Sequence, residues 1–507
     1  MKAFLMFSDR DFDLGQGLPP NEHDLTADLE LEKIFAAMAL GDSFLLDLAR
    51  RAVLSSLGDP MEIRYRQEIL KDCMDHPSVV RELYAIAVEA IERERKVYHS
   101  FFHYPEAVLH RAIEVLRIFV VQLKRLRRIA DEHGQLFSSA GFSRLFEMLR
   151  RELDDDYFRR VESHLDRLEL RQGVLIRARL GRGNKAVDHT LLEPPAVRRG
   201  WRQWLPFGDR SAYTLVVADR DEGGMRALSE MKGRGIDVVA NVLAQSADHI
   251  LSFFSMLRAE LGFYIGCLNL WEQLARKGEP ICFPVPLAAD GPILSSRGLY
   301  DVSLSLTVDE RVVGNDLDAD GKLLVMITGA NQGGKSTFLR SVGQAQLMMQ
   351  CGMFVAAESF RANVCEAIFT HFKREEDPTM TSGKLDEELS RMSWIADRVT
   401  SGSMVLFNES FSATNEREGS EIASSIVRAL VESGIKVLFV THLFELANRF
   451  HAEEVETALF LRAERQPDGR RTFRLLVGGP LPTSHGEDVY HRVFHEDAEV
   501  EPAVTPS

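Results

Sequence analysis

Residues 329–336 have the types and the spacing of a phosphate-binding loop. Their sequence, GANQGGKS, fits the pattern GxxxxGK[ST] and lies between a strand-like segment, KLLVMITG, and a helix-like one. The glycines let main-chain N–H groups surround phosphate oxygens, and the helix N-terminus adds partial positive charge. The pattern places Lys335 at the β- and γ-phosphates and Ser336 on Mg²⁺. A glycine-rich turn with an incidental lysine is the structural alternative. The predicted nucleotide-binding residues of this loop are Gly329, Ala330, Asn331, Gln332, Gly333, Gly334, Lys335, Ser336 and Thr337.

A second polar pair ends the apolar segment SMVLFNE, 73 residues beyond the loop. In ATPases with such a loop, an acid at this point holds the magnesium shell and the next carboxylate polarises the attacking water. Here the first position is Asn408, an uncharged amide, so we expect weaker Mg²⁺ affinity than an aspartate would give. Glu409 is the predicted general base. The predicted metal ligands are Ser336, Asn408 and Glu409; a buried strand end with a capping Asn and a solvated Glu is the alternative.

His442 ends a third apolar segment, IKVLFVTH. The carboxyl ends of parallel strands form the edge of a sheet where ligands bind, so this imidazole is predicted to sense the γ-phosphate. A capping or core histidine is the alternative. The predicted catalytic residues are therefore Glu409, Lys335 and His442.

The elements that must position these residues differ along the chain. From residue 297 onward, strand-like, loop-like and helix-like segments follow one another in repeated order. The strand-like segments lack polar alternation, which indicates a parallel sheet buried on both faces. In residues 24–172 apolar residues recur at helical spacing almost throughout, and the same periodicity returns at residues 237–276. Short strands are expected in GVLIRARLG and YTLVVADRDEGG, and the proline-rich residues 278–292 are expected to be a linker.

Several segments together resemble the MutS family of DNA mismatch-recognition ATPases. TGANQGGKSTFLR is similar to that family's TGPNMGGKST, NESFSATNEREG to its DE-x-G-x-GT segment, and FVTHLFELA to its ATH-[YF]-FELT. IFTHFKREED resembles its IFTRVGA-x-DD, and GGPLPTSHGEDV its final GAA-x-KSYG element. Asn315-Asp316 matches the element at which the family places the adenine, which adds Asn315 to the predicted nucleotide-binding residues. The match covers about residues 297–489. The segments of helical periodicity before residue 297 resemble the family's core and lever domain more loosely.

The resemblance implies an α+α/β multidomain fold, with a mainly helical domain followed by a P-loop, ABC-type α/β ATPase domain. Residues 1–285 would form the helical core and lever, with a clamp-like insertion at about 171–235; residues 286–490 would form the ATPase domain and 491–507 a short tail. It further implies ATP and Mg²⁺ as cofactors, and a homodimer that hydrolyses ATP to switch a DNA clamp. The process would be mismatch repair or a related repair or recombination process.

Three features depart from the family's pattern. Only some 25 residues precede the lever-like helices, without the Phe-x-Glu wedge that reads mismatches. TSGKLDEEL replaces the loop that reaches the partner's ATP, and Ser382 or Ser412 is the nearest candidate there. The tail is short for the family's dimerisation module. An ATP-gated dimeric scaffold with weak or vestigial hydrolysis and no mismatch recognition is therefore the alternative function, which Asn408 favours.

The basic stretch at residues 171–203 is the candidate contact with double-stranded DNA. It holds eight Arg/Lys against two acidic residues, in a chain with a formal net charge of -15. A chain this acidic repels polyanions except where positive charge is concentrated. A solvated basic loop is the alternative. The predicted DNA-binding residues are Arg177, Arg179, Arg182, Lys185, Arg198, Arg199 and Arg202.

Composition excludes several other classes. With 507 residues, 45% hydrophobic and 27% charged, the chain has the composition of a globular multidomain protein rather than a collagen or a disordered tail. Five cysteines without a CxxC pair indicate reduced thiols. No signal peptide and no apolar run near the ~20 residues of a membrane span is expected, which predicts a cytoplasmic protein without a membrane partner.

Overall fold

The computed structural model of the chain describes residues 1–97, 104–170, 173–192, 221–288, 291–374, 383–466 and 471–481. These residues form two compact units. The first comprises Met1–Ala3, Ser78–Ser138 and Phe142–Arg258, and the second comprises Phe4–Pro77, Ser139–Gly141 and the chain from Ala259 onward. The predicted domain boundary near residue 285 lies within the second unit.

Helices and strands alternate most regularly in the C-terminal part of the chain. The helices are α1 (Glu22–Asp28), α2 (Leu31–Ala39), α3 (Ser43–Leu54), α4 (Pro60–Asp75), α5 (Pro77–Lys96), α6 (Pro105–His133), α7 (Ala140–Glu152), α8 (Asp155–Leu168), α9 (Glu222–Arg276), α10 (Val302–Thr307), α11 (Lys335–Gln350), α12 (Lys384–Ala396), α13 (Glu416–Glu432) and α14 (Phe444–Ala452). The strands are β1 (Leu175–Leu180), β2 (Ala186–Leu192), β3 (Val285–Leu287), β4 (Leu294–Leu299), β5 (Asn315–Asp318), β6 (Leu324–Thr328), β7 (Ser359–Asn363), β8 (Ile368–Phe372), β9 (Met404–Asn408), β10 (Lys436–Val440), β11 (Ala458–Arg465) and β12 (Arg471–Val477).

Helices dominate the first unit, because its apolar residues recur at helical spacing. Helix α6 buries a stripe of side chains three or four residues apart, which includes Leu109, Ile113, Leu116, Val120 and Leu123. Phe137, Phe142 and Phe146 pack their rings together, with centroids 4.6–5.7 Å apart. The helical structure predicted for residues 24–172 is confirmed by α1–α8.

A two-stranded antiparallel ribbon, β1–β2, belongs to the same unit and contains the predicted strand GVLIRARLG. The other predicted strand, residues 213–224, lies mostly outside the described residues, and its end belongs to helix α9. Helix α9 begins at Glu222 rather than at the predicted residue 237. The Asp221 carboxylate accepts from the Gly224 N–H at 2.9 Å and caps the helix, and strong helix formers follow the two glycines.

The second unit contains a six-stranded sheet in the order β12-β11-β6-β10-β9-β8. Every neighbouring pair from β11 to β8 is parallel, and β12 is antiparallel to β11. The apolar strands β6, β9 and β10 pack with α13 and α14 into a core that includes Met326, Phe407, Val427, Phe439 and Leu446. The structure therefore confirms helical parts combined with α/β sheet, as predicted.

A second, mixed sheet in the order β3-β7-β4-β5 was not predicted. Strand β3 pairs with β7 in parallel, and β4 is antiparallel to both β7 and β5. Strand β3 lies within residues 278–292, so the prediction of a plain linker there is wrong. Three prolines surround a strand of only three residues, and strands that short leave little pattern in a sequence.

Helix α11 is anchored by a buried polar network. The Asp301 carboxylate caps α10 through Leu304 N–H at 3.1 Å and pairs with the Arg340 side chain. The Gln344 amide donates to the Asp301 carboxylate at 3.0 Å and to the Leu29 carbonyl at 3.0 Å. Because all of these partners are buried or half-buried, the network fixes the rotation of α11 and hence of its N-terminus.

In the described part of the chain, one helix, α9, is long and apolar enough to cross a membrane by length and composition alone. The expectation concerned uninterrupted apolar runs, whereas α9 has this character only as an average over an 18-residue window. Within that window 67% of the residues are buried, and core helices of soluble proteins pass the same test. All five cysteines are free, as expected.

Candidate functional site

The glycine-rich loop, residues 329–334, joins the end of β6 to the first residue of α11. Gly329 and Gly334 adopt positive φ angles of 111° and 87°, which residues with a Cβ rarely reach. A Cβ at Gly329 would lie 2.7 Å from the Ala463 nitrogen, because strand β11 passes directly beside the loop. Gln332 takes a left-handed φ of 59° despite its side chain. The loop is thus a fixed, tightly packed turn at a helix N-terminus.

Lys335 folds back into this loop and is 4% exposed. Its Nζ donates to the carbonyl oxygens of Gly329 and Ala330, both at 2.9 Å. Burial lowers the pKa of Lys335 to about 8, although the Glu409 carboxylate opposes this shift. Two neutral carbonyls are its hydrogen-bond acceptors, so an anion beside the loop would strongly stabilise the ammonium.

Strand β9 and helix α11 bring two of the predicted metal ligands together. The Ser336 hydroxyl donates to Oδ1 of Asn408 at 2.8 Å. Glu409 follows Asn408 directly, so the start of α11 and the end of β9 together present a hydroxyl, an amide oxygen and a carboxylate. Oxygen ligands of this kind suit Mg²⁺, and the set fits that ion with one formal negative charge instead of two.

The third predicted group, His442, lies beside Glu409. Its Nε2 is 3.0 Å from Oε1 of Glu409, and both side chains are about one-third exposed. The hydrogen bond with His442 lowers the pKa of Glu409, burial opposes it, and Lys335 and Lys373 lower it further. Glu409 is therefore an ionised carboxylate at neutral pH, which suits it to orient a water molecule and accept its hydrogen bond.

A pocket of about 750 Å³ opens beside the glycine-rich loop. Gln332, Gly334 and Thr337 form the side next to the loop, and Tyr300, Phe338 and Phe473 supply aromatic surface. The volume and the mostly apolar lining suit a nucleoside. Sequence reasoning missed most of this lining, since its residues come from separated segments; the apolar run Val312-Val313 beside Asn315 was the available signal.

Asn315 lines this pocket, but both ends of its amide are engaged. Its Nδ2 donates to the Phe473 carbonyl at 3.1 Å, and its Oδ1 accepts from the Leu475 N–H at 2.7 Å. The side chain thereby ties strand β5 to strand β12. This position makes Asn315 a support of the pocket as well as part of its lining.

One wall of this pocket, residues 308–313, is held by two charged side chains. The Glu279 carboxylate accepts from the Val312 N–H at 2.9 Å and from the Ser305 hydroxyl at 3.2 Å, and it lies 3.7 Å from the Arg311 guanidinium. Lys277 donates to the Val308 carbonyl at 2.5 Å. The wall is therefore attached to the turn that follows helix α9.

The structure describes four of the seven residues predicted to contact DNA. Arg177, Arg179, Arg182 and Lys185 are exposed on the β1–β2 ribbon, and Arg179 lies 3.4 Å from Asp188. Arg198, Arg199 and Arg202 lie outside the described residues, as does Ser382. Ser412, the other serine considered, donates to the Glu409 carbonyl at 2.8 Å.

Comparison with known proteins gives two family matches. A model described as the MutS2 N-terminal domain matches residues 58–277, and one described as MutS domain V matches residues 325–502. A DNA mismatch repair protein MutS of Porphyromonas gingivalis is 29% identical over 283 residues, 49% of this chain and 32% of that protein.

Two further relatives are similar. One MutS, of Thermotoga petrophila, is 32% identical over 224 residues, 44% of this chain and 28% of that protein. A protein named endonuclease MutS2, of Lacticaseibacillus casei, is 28% identical over 249 residues, 48% of this chain and 30% of that protein. The matched chain thus spans about a third or less of these relatives. Two MutS models in the order expected, one on the helical part and one on the sheet that carries Lys335, show that the chain belongs to the MutS family.

Proposed function

We propose that this chain is a DNA-dependent ATPase that acts in mismatch repair or a related DNA repair or recombination process. The observation that carries the proposal is the convergence of Lys335, Ser336, Asn408, Glu409 and His442 on one edge of the six-stranded sheet. These five side chains come from three separate segments, the start of α11, the end of β9 and the end of β10, yet their polar atoms meet around one glycine-rich loop. Such convergence supports a site for phosphoryl chemistry.

In this proposal ATP lies with its phosphates at the loop and its nucleoside in the neighbouring pocket. Lys335 exchanges its two carbonyl acceptors for phosphate oxygens, and the loop N–H groups bind the remaining charge. Ser336 and Asn408 would hold Mg²⁺, and the ion would supply positive charge to offset the charge that develops on the phosphates. Glu409 orients the attacking water and accepts its hydrogen bond, while His442 holds the Glu409 carboxylate and lies where it can contact the γ-phosphate.

DNA binding and dimerisation complete the proposal. The relatives' printed names refer to DNA mismatch repair and to an endonuclease, and the exposed arginines of the β1–β2 ribbon supply a local cationic surface for a duplex backbone. The family resemblance supports a homodimer around ATP. The alternative is an ATP-gated scaffold with vestigial hydrolysis, and Asn408 is the specific observation in its favour, because an amide adds no charge to the magnesium site.

Two variants test the ATPase. Lys335→Ala should abolish ATP binding and hydrolysis, because the phosphates lose their principal cationic partner. Glu409→Gln should retain ATP binding and slow turnover at least about tenfold, the low end of what a positioned base contributes. Steady-state hydrolysis with and without duplex DNA measures both. DNA stimulation of the parent would support the enzyme; unstimulated, barely detectable hydrolysis would favour the scaffold.

A further inference from the structure

The turn that carries Glu409 has an unusual backbone. Glu409 and Phe411 both adopt left-handed φ angles, 54° and 61°, although each has a bulky side chain. Residues other than glycine seldom occupy this region, and the surrounding structure must hold them there. On one side, the Glu409 N–H donates to the Val440 carbonyl at 2.9 Å, which fixes only the start of the turn.

His371, on the neighbouring strand β8, contacts the rest of the turn. It is fully buried, its Nδ1 is 2.7 Å from the Ser410 hydroxyl, and its Nε2 is 2.9 Å from the Glu388 carbonyl oxygen. Its ring stacks on Phe411, with centroids 5.2 Å apart and planes 19° apart. The Glu388 carboxyl in turn faces the Phe411 N–H. One side chain thus contacts both residues that follow Glu409.

The hydrogen bonds determine which nitrogen carries the proton. A carbonyl oxygen only accepts, so Nε2 of His371 donates to Glu388. Burial lowers the pKa of His371 to about 4, with Arg391 contributing, so the ring is neutral and Nδ1 accepts from the Ser410 hydroxyl. The Ser410 hydroxyl also lies 2.5 Å from the His371 carbonyl oxygen, so its single proton is shared between two acceptors, Nδ1 and the carbonyl oxygen of the same histidine.

We propose that His371 is a positioning residue, which fixes the 409–411 turn through Ser410 and Phe411 and so holds the Glu409 carboxylate against His442. This inference rests on the proposed ATPase function, in which Glu409 orients the attacking water. A small displacement of such a carboxylate costs rate more than substrate affinity, because other residues line the pocket proposed for the nucleoside.

Two substitutions separate hydrogen bonding from packing. His371→Phe keeps a ring against Phe411 but loses both hydrogen bonds, whereas His371→Gln retains a donor and an acceptor. We expect kcat for ATP hydrolysis to fall about tenfold in His371→Phe with KM for ATP within about twofold, and to recover at least in part in His371→Gln. Hydrogen–deuterium exchange of the peptide covering residues 409–415 should become faster in His371→Phe only.

The control is Gln67→Leu, which removes a buried hydrogen bond from Gln67 Nε2 to the Pro284 carbonyl at 3.0 Å, away from the turn. It should lower the melting temperature without changing kcat. Parental kcat in His371→Phe, or an equal loss of kcat in Gln67→Leu, would overturn the positioning role. If the parent itself hydrolyses no ATP, the proposed function fails, and the exchange comparison still decides: exchange in His371→Phe at the parental rate overturns this inference.

Discussion

At the scale of single residues, the charge of the Lys335 ammonium depends on pH just above neutrality. Its pKa of about 8 means that the ammonium predominates at pH 7 and only about a tenth of it remains at pH 9. Because the protonated form binds phosphate, affinity is retained below pH 8 and lost above it. We expect the Kd for Mg²⁺-ATP to rise about tenfold between pH 7 and pH 9.

Equilibrium titration with a fluorescent ATP analogue at constant free Mg²⁺ measures this change. Lys335→Arg is the control, since a guanidinium stays charged throughout this range and its binding, though weaker, should not vary with pH. A parent whose affinity is constant up to pH 9 would contradict the assignment of Lys335 as the titrating group.

Asn408 gives a second residue-scale prediction. Because its Oδ1 already accepts from the Ser336 hydroxyl at 2.8 Å, an aspartate can keep that bond and add a negative charge beside the proposed magnesium site. We expect Asn408→Asp to lower the Mg²⁺ concentration for half-maximal ATP hydrolysis at least about threefold. A Mg²⁺ titration of initial rates measures this.

The matched control is Asn415→Asp, which adds the same charge at the cap of α13, where the side chain already accepts from Glu418 N–H. An equal response in both variants would mean that general charge, rather than a ligand position, sets the Mg²⁺ requirement.

Residue types and spacing were sufficient to predict the grouping of Lys335, Glu409 and His442, because each follows a recognisable apolar strand. They were insufficient for His371 and Glu279. Both are buried polar residues whose partners are distant in sequence, Ser410 in one case and Val312 in the other. His371 and Ser410 come into contact because β8 pairs with β9. Glu279 and Val312 come into contact because residues 308–313 pack against the turn that follows α9.

At the scale of elements, the pocket wall of residues 308–313 depends on Glu279. Glu279→Gln keeps one oxygen acceptor but loses the charge that faces Arg311, 3.7 Å away, and weakens the bond to Val312 N–H. We expect the Kd for ATP to rise about fivefold, with kcat at saturating ATP within about twofold, since the reacting groups are untouched. Glu432→Gln, at the exposed end of α13, is the control. A loss confined to kcat would contradict this role.

The β1–β2 ribbon gives the second element-scale prediction. Reversal of Arg177, Arg179 and Arg182 to Glu should weaken duplex binding and flatten its log–log salt slope by up to about three, near 0.9 per lost phosphate contact. ATP hydrolysis without DNA should persist, because these residues belong to the other unit. Fluorescence anisotropy at several salt concentrations measures the slope.

Reversal of Arg151, Arg159 and Arg160, exposed arginines of the same unit, makes an identical change in net charge. Equal losses in the two triple variants would show that overall charge, and not the ribbon, governs binding. A tenfold or greater preference of the parent for a single mismatch would contradict backbone-dominated binding.

The sequence pattern of an element also limits what can be predicted. Buried parallel strands such as β6 and β10 are continuous apolar runs and were predicted. The four-stranded sheet was missed because β5 (Asn-Asp-Leu-Asp) and β7 (Ser-Phe-Arg-Ala-Asn) are short and largely polar, and the residues of β3 pair with residues 76 positions later. The start of α9 was misplaced because two glycines in its first turn resemble a loop.

At the scale of the whole molecule, the second unit combines distant parts of the chain. Arg66, fully buried, donates to the Met6 carbonyl at 2.9 Å and to the Cys351 carbonyl at 3.1 Å. The Asn21 amide donates to the Ile368 carbonyl at 2.7 Å. No local pattern indicates that the helices of residues 22–75 pack with the six-stranded sheet, because such contacts depend on tertiary packing rather than on periodicity.

Net charge leads to the last prediction, that ATP drives homodimerisation and that salt assists it. Each chain carries a formal charge of -15, so two copies repel one another at low ionic strength, and a nucleotide that binds between them must supply the stabilisation.

Glu409→Gln, which should retain ATP, is expected to sediment as a monomer alone and as a dimer with Mg²⁺-ATP. Dimerisation should strengthen between about 50 and 300 mM KCl as repulsion is screened, the opposite sign to DNA binding. Lys335→Ala, treated identically, should stay monomeric. A Glu409→Gln protein that is monomeric in both conditions, or a dimer that forms without nucleotide and weakens with salt, would refute ATP-driven association.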